Sequence, residues 1–186
     1  MTASGYDPIA ILMEEHRMYL RRLTEIRTDL QRLSGASRDR LGVPSSLTTF
    51  ADFLATDVDG FHGRKEEEGL FPVLVRHVGL DGGPVEVMLE EHELLRHHQK
   101  TIAGSVPRLE TDPGRVDALS AVSVALDSIH RLLANHIDKE DEVLFPMARA
   151  TLTPAEMSEV AQVCLEIEDR FGDRVRASRR SPRDAL

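Results

Sequence analysis

His62-Gly63-Arg64-Lys65-Glu66-Glu67-Glu68-Gly69-Leu70-Phe71-Pro72 and His136-Ile137-Asp138-Lys139-Glu140-Asp141-Glu142-Val143-Leu144-Phe145-Pro146 align without a gap as H-x-x-K-E-[ED]-E-x-L-F-P. So many shared positions mark an internal duplication. Upstream of each copy a shorter element also repeats: Leu12-Met13-Glu14-Glu15-His16 pairs with Met88-Leu89-Glu90-Glu91-His92. The order H, HxxxE, H, HxxxE therefore predicts two helix pairs related by a pseudo-twofold. Within each HxxxE, the i,i+4 spacing puts imidazole and carboxylate on one helix face, a turn apart.

Outward from the repeat, local punctuation sets the element boundaries. Asp7-Pro8 reads as a cap followed by Pro at the first helical position, opening a helix to about Leu33 that Ser34-Gly35-Ala36-Ser37 closes. A polar linker leads to Ser46, the expected cap of a second helix from Leu47 to about His77, kinked or broken at Pro72. After the turn Gly79 to Gly83, Pro84 starts a third helix ending near Gly104 to Pro107. Asp112-Pro113 repeats the Asp-Pro opening for a fourth, reaching the neighbourhood of Pro146 or Arg149. Thr153-Pro154-Ala155-Glu156 combines a capping box with Pro, giving a shorter fifth helix to about Phe171. No useful strand alternation occurs. The expected fold is all-α: an up-down-up-down four-helix bundle over residues 1–150, an appended helix over 151–172, and a disordered basic tail over 173–186.

The apolar stripes have polar gaps. Ile9, Met13, Leu20 and Leu23 leave a place for His16; Val85, Met88, Leu95 and Ile102 leave one for His92. His62 and Glu66 interrupt Leu54, Val58, Phe61 and Val73, and His136 and Glu140 interrupt Val122, Ile129, Leu133 and Leu144. His16 and His92 each lie eight residues after the Pro that opens their helix, and Glu66 and Glu140 each lie six before the Pro of L-F-P. At 1.5 Å per residue, all six side chains fall at one level, about 12 Å from one end of the bundle.

Composition narrows the function. Hydrophobic residues make up 41 % and charged residues 30 %, with aromatics at 4 % and no Trp, which favours helix over sheet. No apolar run is long enough for a membrane span, and MTASGYDP lacks a signal-peptide pattern. The net charge of −9 excludes general nucleic-acid binding, with Arg174, Arg176, Arg179, Arg180 and Arg183 as a local basic exception. The single Cys164 cannot form an internal disulfide and suits a reducing cytoplasm.

Two carboxylates buried without cations would lose several kcal/mol each. No Lys or Arg is expected on the seam at their level, Arg96 being the nearest. Bound cations remove that penalty. Imidazole suits Zn, Cu, Fe and Ni, while carboxylates bridge two harder ions. Four nitrogens and two carboxylates under-fill two six-coordinate ions, leaving room for an oxo or hydroxo bridge and an exchangeable ligand. A structural zinc site would be closed and would usually recruit Cys. Two non-haem iron ions are the expected cofactor.

The H-HxxxE-H-HxxxE pattern with its E-x-L-F-P flanks, over residues 8 to 150, resembles the hemerythrin-like HHE cation-binding family. It is similar to the bacterial di-iron members and to the di-iron iron–sulfur cluster repair proteins. The resemblance implies a four-helix bundle with His16, His62, His92 and His136 as terminal iron ligands and Glu66 and Glu140 as bridges. Two departures bear on activity. Oxygen-carrying hemerythrins place a second His one turn after the third-helix ligand, where this chain has Arg96, which cannot ligate. The repair proteins carry an extra Cys-containing N-terminal segment that is not seen here, which weakens the repair expectation.

The expected function is binding of, or reaction with, a small oxidant (O2, H2O2 or NO) at the open iron position. The alternative is an iron- or oxygen-responsive sensor, or an iron-storage or repair module, acting through a protein partner. No nucleophile constellation or phosphate loop is present. His77, His97, His98 and His130 are expected at the surface. Lys65, Lys139, Glu67 and Asp141 are read as a solvated rim, and Tyr19 as packing that could line the iron pocket. Cys164 is read as a small buried hydrophobe and Met13, Met88 and Met147 as core fillers.

Overall fold

The computed structural model describes residues 5–35 and 43–179, so the expected linker and the last residues of the basic tail lie outside the described residues. Helix α1 spans Pro8–Gly35. Its start is the expected cap, with the Ala10 N–H donating to Asp7 Oδ1 at 3.0 Å. Helix α2 is one continuous rod built from Val43–Phe53, two π-helical stretches at Leu54–Gly63 and Lys65–Leu70, and Phe71–Val78. Helix α3 is Pro84–Thr111. Helix α4 joins Val116–Lys139 to a π-helical Glu140–Leu144 and Phe145–Thr151. Helix α5 is Pro154–Arg179, which carries the backbone on past the expected end near Phe171. The result is an all-α bundle with a C-terminal helix.

Several boundaries differ from expectation for local reasons. Pro72 does not break α2. A proline ring clashes with the carbonyl four residues back and offers no N–H. The π stretches just before Pro72 and Pro146 widen the turn, and the Phe71 and Phe145 N–H groups donate to the Glu66 and Glu140 carbonyls five residues back. Ser46 lies inside α2 rather than capping it. Helix α3 runs through Pro107 for one more turn. Asp112-Pro113 is a turn rather than a helix start: the Asp112 side chain accepts the Gly114 N–H at 3.0 Å, and the helix begins at Val116. The Thr153–Glu156 capping box forms as read, with Thr153 N–H donating to Glu156 Oε2 at 2.9 Å.

The core has two parts. One gathers Tyr19, Leu23, Phe50, Ile102, Leu109 and Ile129. The other gathers Ile9, Leu12, Leu74, Val85 and Phe145 with Val160 and Cys164 of α5. Buried Val160 and Ile167 each contribute about 1.5–3 kcal/mol to docking α5. In the sequence of each helix, the histidines and glutamates of the repeat fall at or beside the junction of these two apolar layers.

Candidate metal centre

The six residues of the repeat meet at one level. His16, His62, Glu66, His92, His136 and Glu140 are all buried, with both glutamates fully inaccessible. The histidines form two pairs. His16 Nε2 and His62 Nε2 stand 2.9 Å apart, and His92 Nε2 and His136 Nε2 stand 3.1 Å apart. Each carboxylate spans both pairs. Glu66 places Oε1 at 3.3 Å from His62 Nε2 and Oε2 at 3.4 Å from His92 Nε2. Glu140 places Oε1 at 3.3 Å from His136 Nε2 and Oε2 at 3.1 Å from His16 Nε2. Two four-donor groups result, His16–His62–Glu66–Glu140 and His92–His136–Glu66–Glu140, each with its ligand atoms within 4.8 Å of one another.

The outward ring nitrogens follow a cyclic rule. Every Nδ1 meets a carboxylate from the preceding helix of the bundle: His62 with Glu15 at 3.0 Å, His92 with Glu67 at 2.7 Å, His136 with Glu91 at 2.9 Å, and His16 with Asp141 at 2.8 Å. A carboxylate that accepts the Nδ1–H hydrogen bond keeps the proton on Nδ1 and leaves a lone pair on the inward Nε2. Two lone pairs 2.9 Å apart repel unless a cation or proton lies between them. Two nitrogens at right angles on one ion, with a metal–nitrogen bond of about 2.1 Å, would stand about 3 Å apart. All four oxygens of Glu66 and Glu140 are buried without a hydrogen-bond partner. These donors fit metal ions well.

Electrostatics point the same way. Burial opposes charge on His62, yet Glu66 and Glu15 push its pKa up to about 10. Burial likewise opposes charge on His92, while Glu66 and Glu67 push it up to about 9. Against its burial, Glu66 is held well below the usual carboxylate range by His62 and His92. Glu15 overcomes its own burial through His62 and Lys65 and falls to about 2. The pocket is thus built for positive charge at its centre.

Sequence reasoning placed the six inward residues correctly at one level but misread their surroundings. Glu67 and Asp141 each hold a histidine of the site instead of forming a rim. Lys65 is completely buried, and its Nζ donates to Glu15 Oε1 at 2.7 Å and to Glu168 Oε1 at 2.8 Å. Among the described residues no Lys or Arg pairs with Glu66 or Glu140, as expected of the seam; Lys65 is instead buried one layer out, in a groove that α5 closes. Lys139 pairs with Glu91 while its side chain remains 41 % exposed. The repeat itself carried the signal, since Glu15 aligns with Glu91 and Lys65 with Lys139.

The Phe of each L-F-P packs on a histidine of the other half. Phe145 stacks on His16 at 5.4 Å and Phe71 on His92 at 5.9 Å. Tyr19 donates its hydroxyl to the Asp57 carbonyl at 2.8 Å and turns its ring edge to His62. Arg96 binds Asp59, Glu93 and Glu67. A pocket of about 40 Å³ reaches all four histidines between Tyr19, Val58, Leu133 and Ile137, with Asp59 and Arg96 also lining it. That volume admits only a very small molecule. His97 is exposed, and His77 is bound at the surface by Glu156. His130 is only partly exposed, with its Nδ1 buried.

The fold and the site define a helical bundle with a buried core of four histidines and two glutamates whose donor atoms could hold metal ions. The chain belongs to the Hemerythrin HHE cation binding domain family, whose pattern matches residues 7–148. The iron–sulfur cluster repair protein YtfE of Cronobacter sakazakii is 28 % identical over 141 residues, covering 75 % of this chain and 63 % of that protein. YtfE of Escherichia coli O157:H7 and of Shigella boydii serotype 18 are each 26 % identical over the same length, covering 64 % of those proteins. The chain therefore spans less than two thirds of the curated relatives it matches. No solved structure matches with significance. Among the described residues, no helix is long and apolar enough to cross a membrane.

Proposed function

We propose that His16, His62, Glu66, His92, His136 and Glu140 hold two non-haem iron ions, and that the centre binds or reacts with O2, H2O2 or NO. One ion belongs to the His16–His62 pair and the other to the His92–His136 pair, with Glu66 and Glu140 shared. The observation that carries the reading is the set of four buried carboxylate oxygens, each within 3.4 Å of a histidine Nε2 and none with a hydrogen-bond partner. Bound iron supplies Lewis acidity and one-electron redox chemistry. The protein's own part is to fix the histidine tautomers through Glu15, Glu67, Glu91 and Asp141, and to exclude large substrates and most water with an apolar pocket. Arg96 stands where a fifth histidine would add a donor, so the His92–His136 side has one ligand fewer than an oxygen carrier. In this reading residues 1–150 are the iron-binding bundle and the C-terminal helix is appended to it. The one thiol, Cys164, is free and buried and has no second cysteine to pair with, which fits a reducing, cytoplasmic setting.

The test is iron content per chain with an absorption spectrum, beside His62→Ala and His136→Ala. Two irons with near-ultraviolet charge-transfer bands, lost in both variants, are expected. A protein that stays colourless and iron-free after anaerobic Fe(II) loading overturns the reading. The relatives' names favour a second output, iron–sulfur cluster repair. Peroxide or NO turnover distinguishes the first output, and iron-dependent rescue of a damaged cluster protein without turnover distinguishes the second.

A further inference from the structure

We infer that the C-terminal helix is a working part of the metal centre: Glu168 of α5, acting through Lys65 and Glu15, positions His62 and makes the His16–His62 side the tighter of the two iron sites. The inference rests on the two-iron reading above. Helix α5 lies beyond the residues 7–148 that define the family, yet it reaches the histidine shell.

The connection is a chain of buried contacts. His62 Nδ1 donates to Glu15 Oε2 at 3.0 Å, and Lys65 Nζ donates to Glu15 Oε1 at 2.7 Å. The same ammonium donates to Glu168 Oε1 at 2.8 Å, and Tyr6 donates its hydroxyl to that oxygen at 2.9 Å. Lys65 also lies over the Phe61 ring, 3.9 Å from its centre. Glu15 is therefore gripped on one oxygen by the ligand histidine and on the other by an ammonium that α5 holds in place. A fixed carboxylate fixes both the tautomer and the plane of the imidazole it binds.

Gly69 faces α5 directly: a Cβ built there would meet Val163 Cγ1 at 3.5 Å and Cys164 Sγ at 3.8 Å, ordinary packing distances. The matching position in the other half is Val143, which is 52 % exposed. There Lys139 has Glu91 as its ion-pair partner among the described residues and faces solvent. Water screens that pair and lets the lysine move. Glu91 therefore holds His136 less firmly than Glu15 holds His62.

The experiment follows iron release from the loaded full chain to an excess of an Fe(II) chelator, read by the colour of the chelate, with Mössbauer spectra of the loaded proteins. The wild type is expected to release its irons in two phases of one ion each and to show two distinct iron environments. Glu168→Ala accelerates the slow phase about tenfold or more, leaves the fast phase unchanged and brings the two environments together. Glu168→Gln keeps the shape and one acceptor, so it folds even where Glu168→Ala does not, and it gives a smaller acceleration of the same phase. Arg76→Ala, which removes a surface pair with Glu159 between α2 and α5 at 2.9 Å, leaves both phases alone. Single-phase release in the wild type, unchanged release in the Glu168 variants, or equal acceleration by Arg76→Ala overturns the inference while leaving the two-iron reading intact. Wild type that takes up no iron overturns that reading and this inference with it.

Discussion

The two halves of the bundle repeat the same residues in different surroundings. In the first, Lys65 is fully buried between Glu15 and Glu168; in the second, Lys139 carries the same contact to the equivalent glutamate with 41 % of its side chain in water. Glu15 is 2 % exposed and Glu91 is 15 % exposed. The difference is made by α5, which lies along one half and has no counterpart on the other among the described residues. The halves also differ in backbone. Helix α2 is π-helical from Leu54 to Gly63, whereas the matching part of α4 is a regular α-helix up to Lys139. A duplicated motif thus fixes which residues face the centre and leaves neighbouring elements to decide how rigidly each is held.

The largest expected effect separates the two lysines. Lys65→Met removes the cation shared by two carboxylates, one of them fully buried, and should lower unfolding free energy by about 3–5 kcal/mol. Lys139→Met should cost under about 1 kcal/mol, because its pair is exposed. Denaturant unfolding of the two variants side by side measures the contrast, and equal losses would erase the distinction between the halves.

The backbone difference predicts a smaller effect. At Gly60 an added Cβ would stand 2.8 Å from the Ala55 carbonyl oxygen, a contact created by the wide π turn. Gly60→Ala should cost about 1–3 kcal/mol through this clash. Its counterpart Ala134 lies in regular helix, so Ala134→Gly should cost only the usual helix penalty of about 0.5–1 kcal/mol. If Gly60→Ala stabilises the protein instead, the π geometry of α2 is not what that glycine serves.

The smallest effect concerns the anchoring of α5. Glu156 is held down to about 2 by the Thr153 backbone N–H first, then by His77 and the Thr153 hydroxyl. Its folded pKa lies below the unfolded value, so the stabilisation is present above about pH 4.5 and is lost as pH falls toward 2. Thr153→Ala removes the hydroxyl half of the box and should lower the melting temperature by about 2–4 °C at pH 7. The gap between variant and wild type should narrow on acidification, which thermal scans at several pH values will show.

The alignment of HxxxE with HxxxE made the inward six legible, because i,i+4 spacing on an apolar stripe leaves a polar side chain no direction but inward. Asp7-Pro8 and the Thr153 box were equally legible, since caps are made by residues three apart in the chain. Asp112-Pro113 misled because the same pair can close a turn, here with the Asp112 carboxylate accepting the Gly114 N–H. Pro72 misled because an α-helix cannot absorb it, whereas a π turn does. The role of Lys65 was hidden for a different reason: the residue that buries and holds it, Glu168, is 103 positions away.

The sequence by itself determined the all-α class, the internal duplication, and the four histidines and two glutamates that converge, because each follows from spacing along the helices and from matching one half of the chain against the other. Only the tertiary structure decided that Glu66 and Glu140 each reach both histidine pairs, that the Nδ1 of each of the four histidines is held by the preceding helix, and that α5 closes over Lys65 and not over Lys139 among the described residues. Those features are contacts between helices, set by how side chains from distant segments close around one another, and no local pattern encodes that closure.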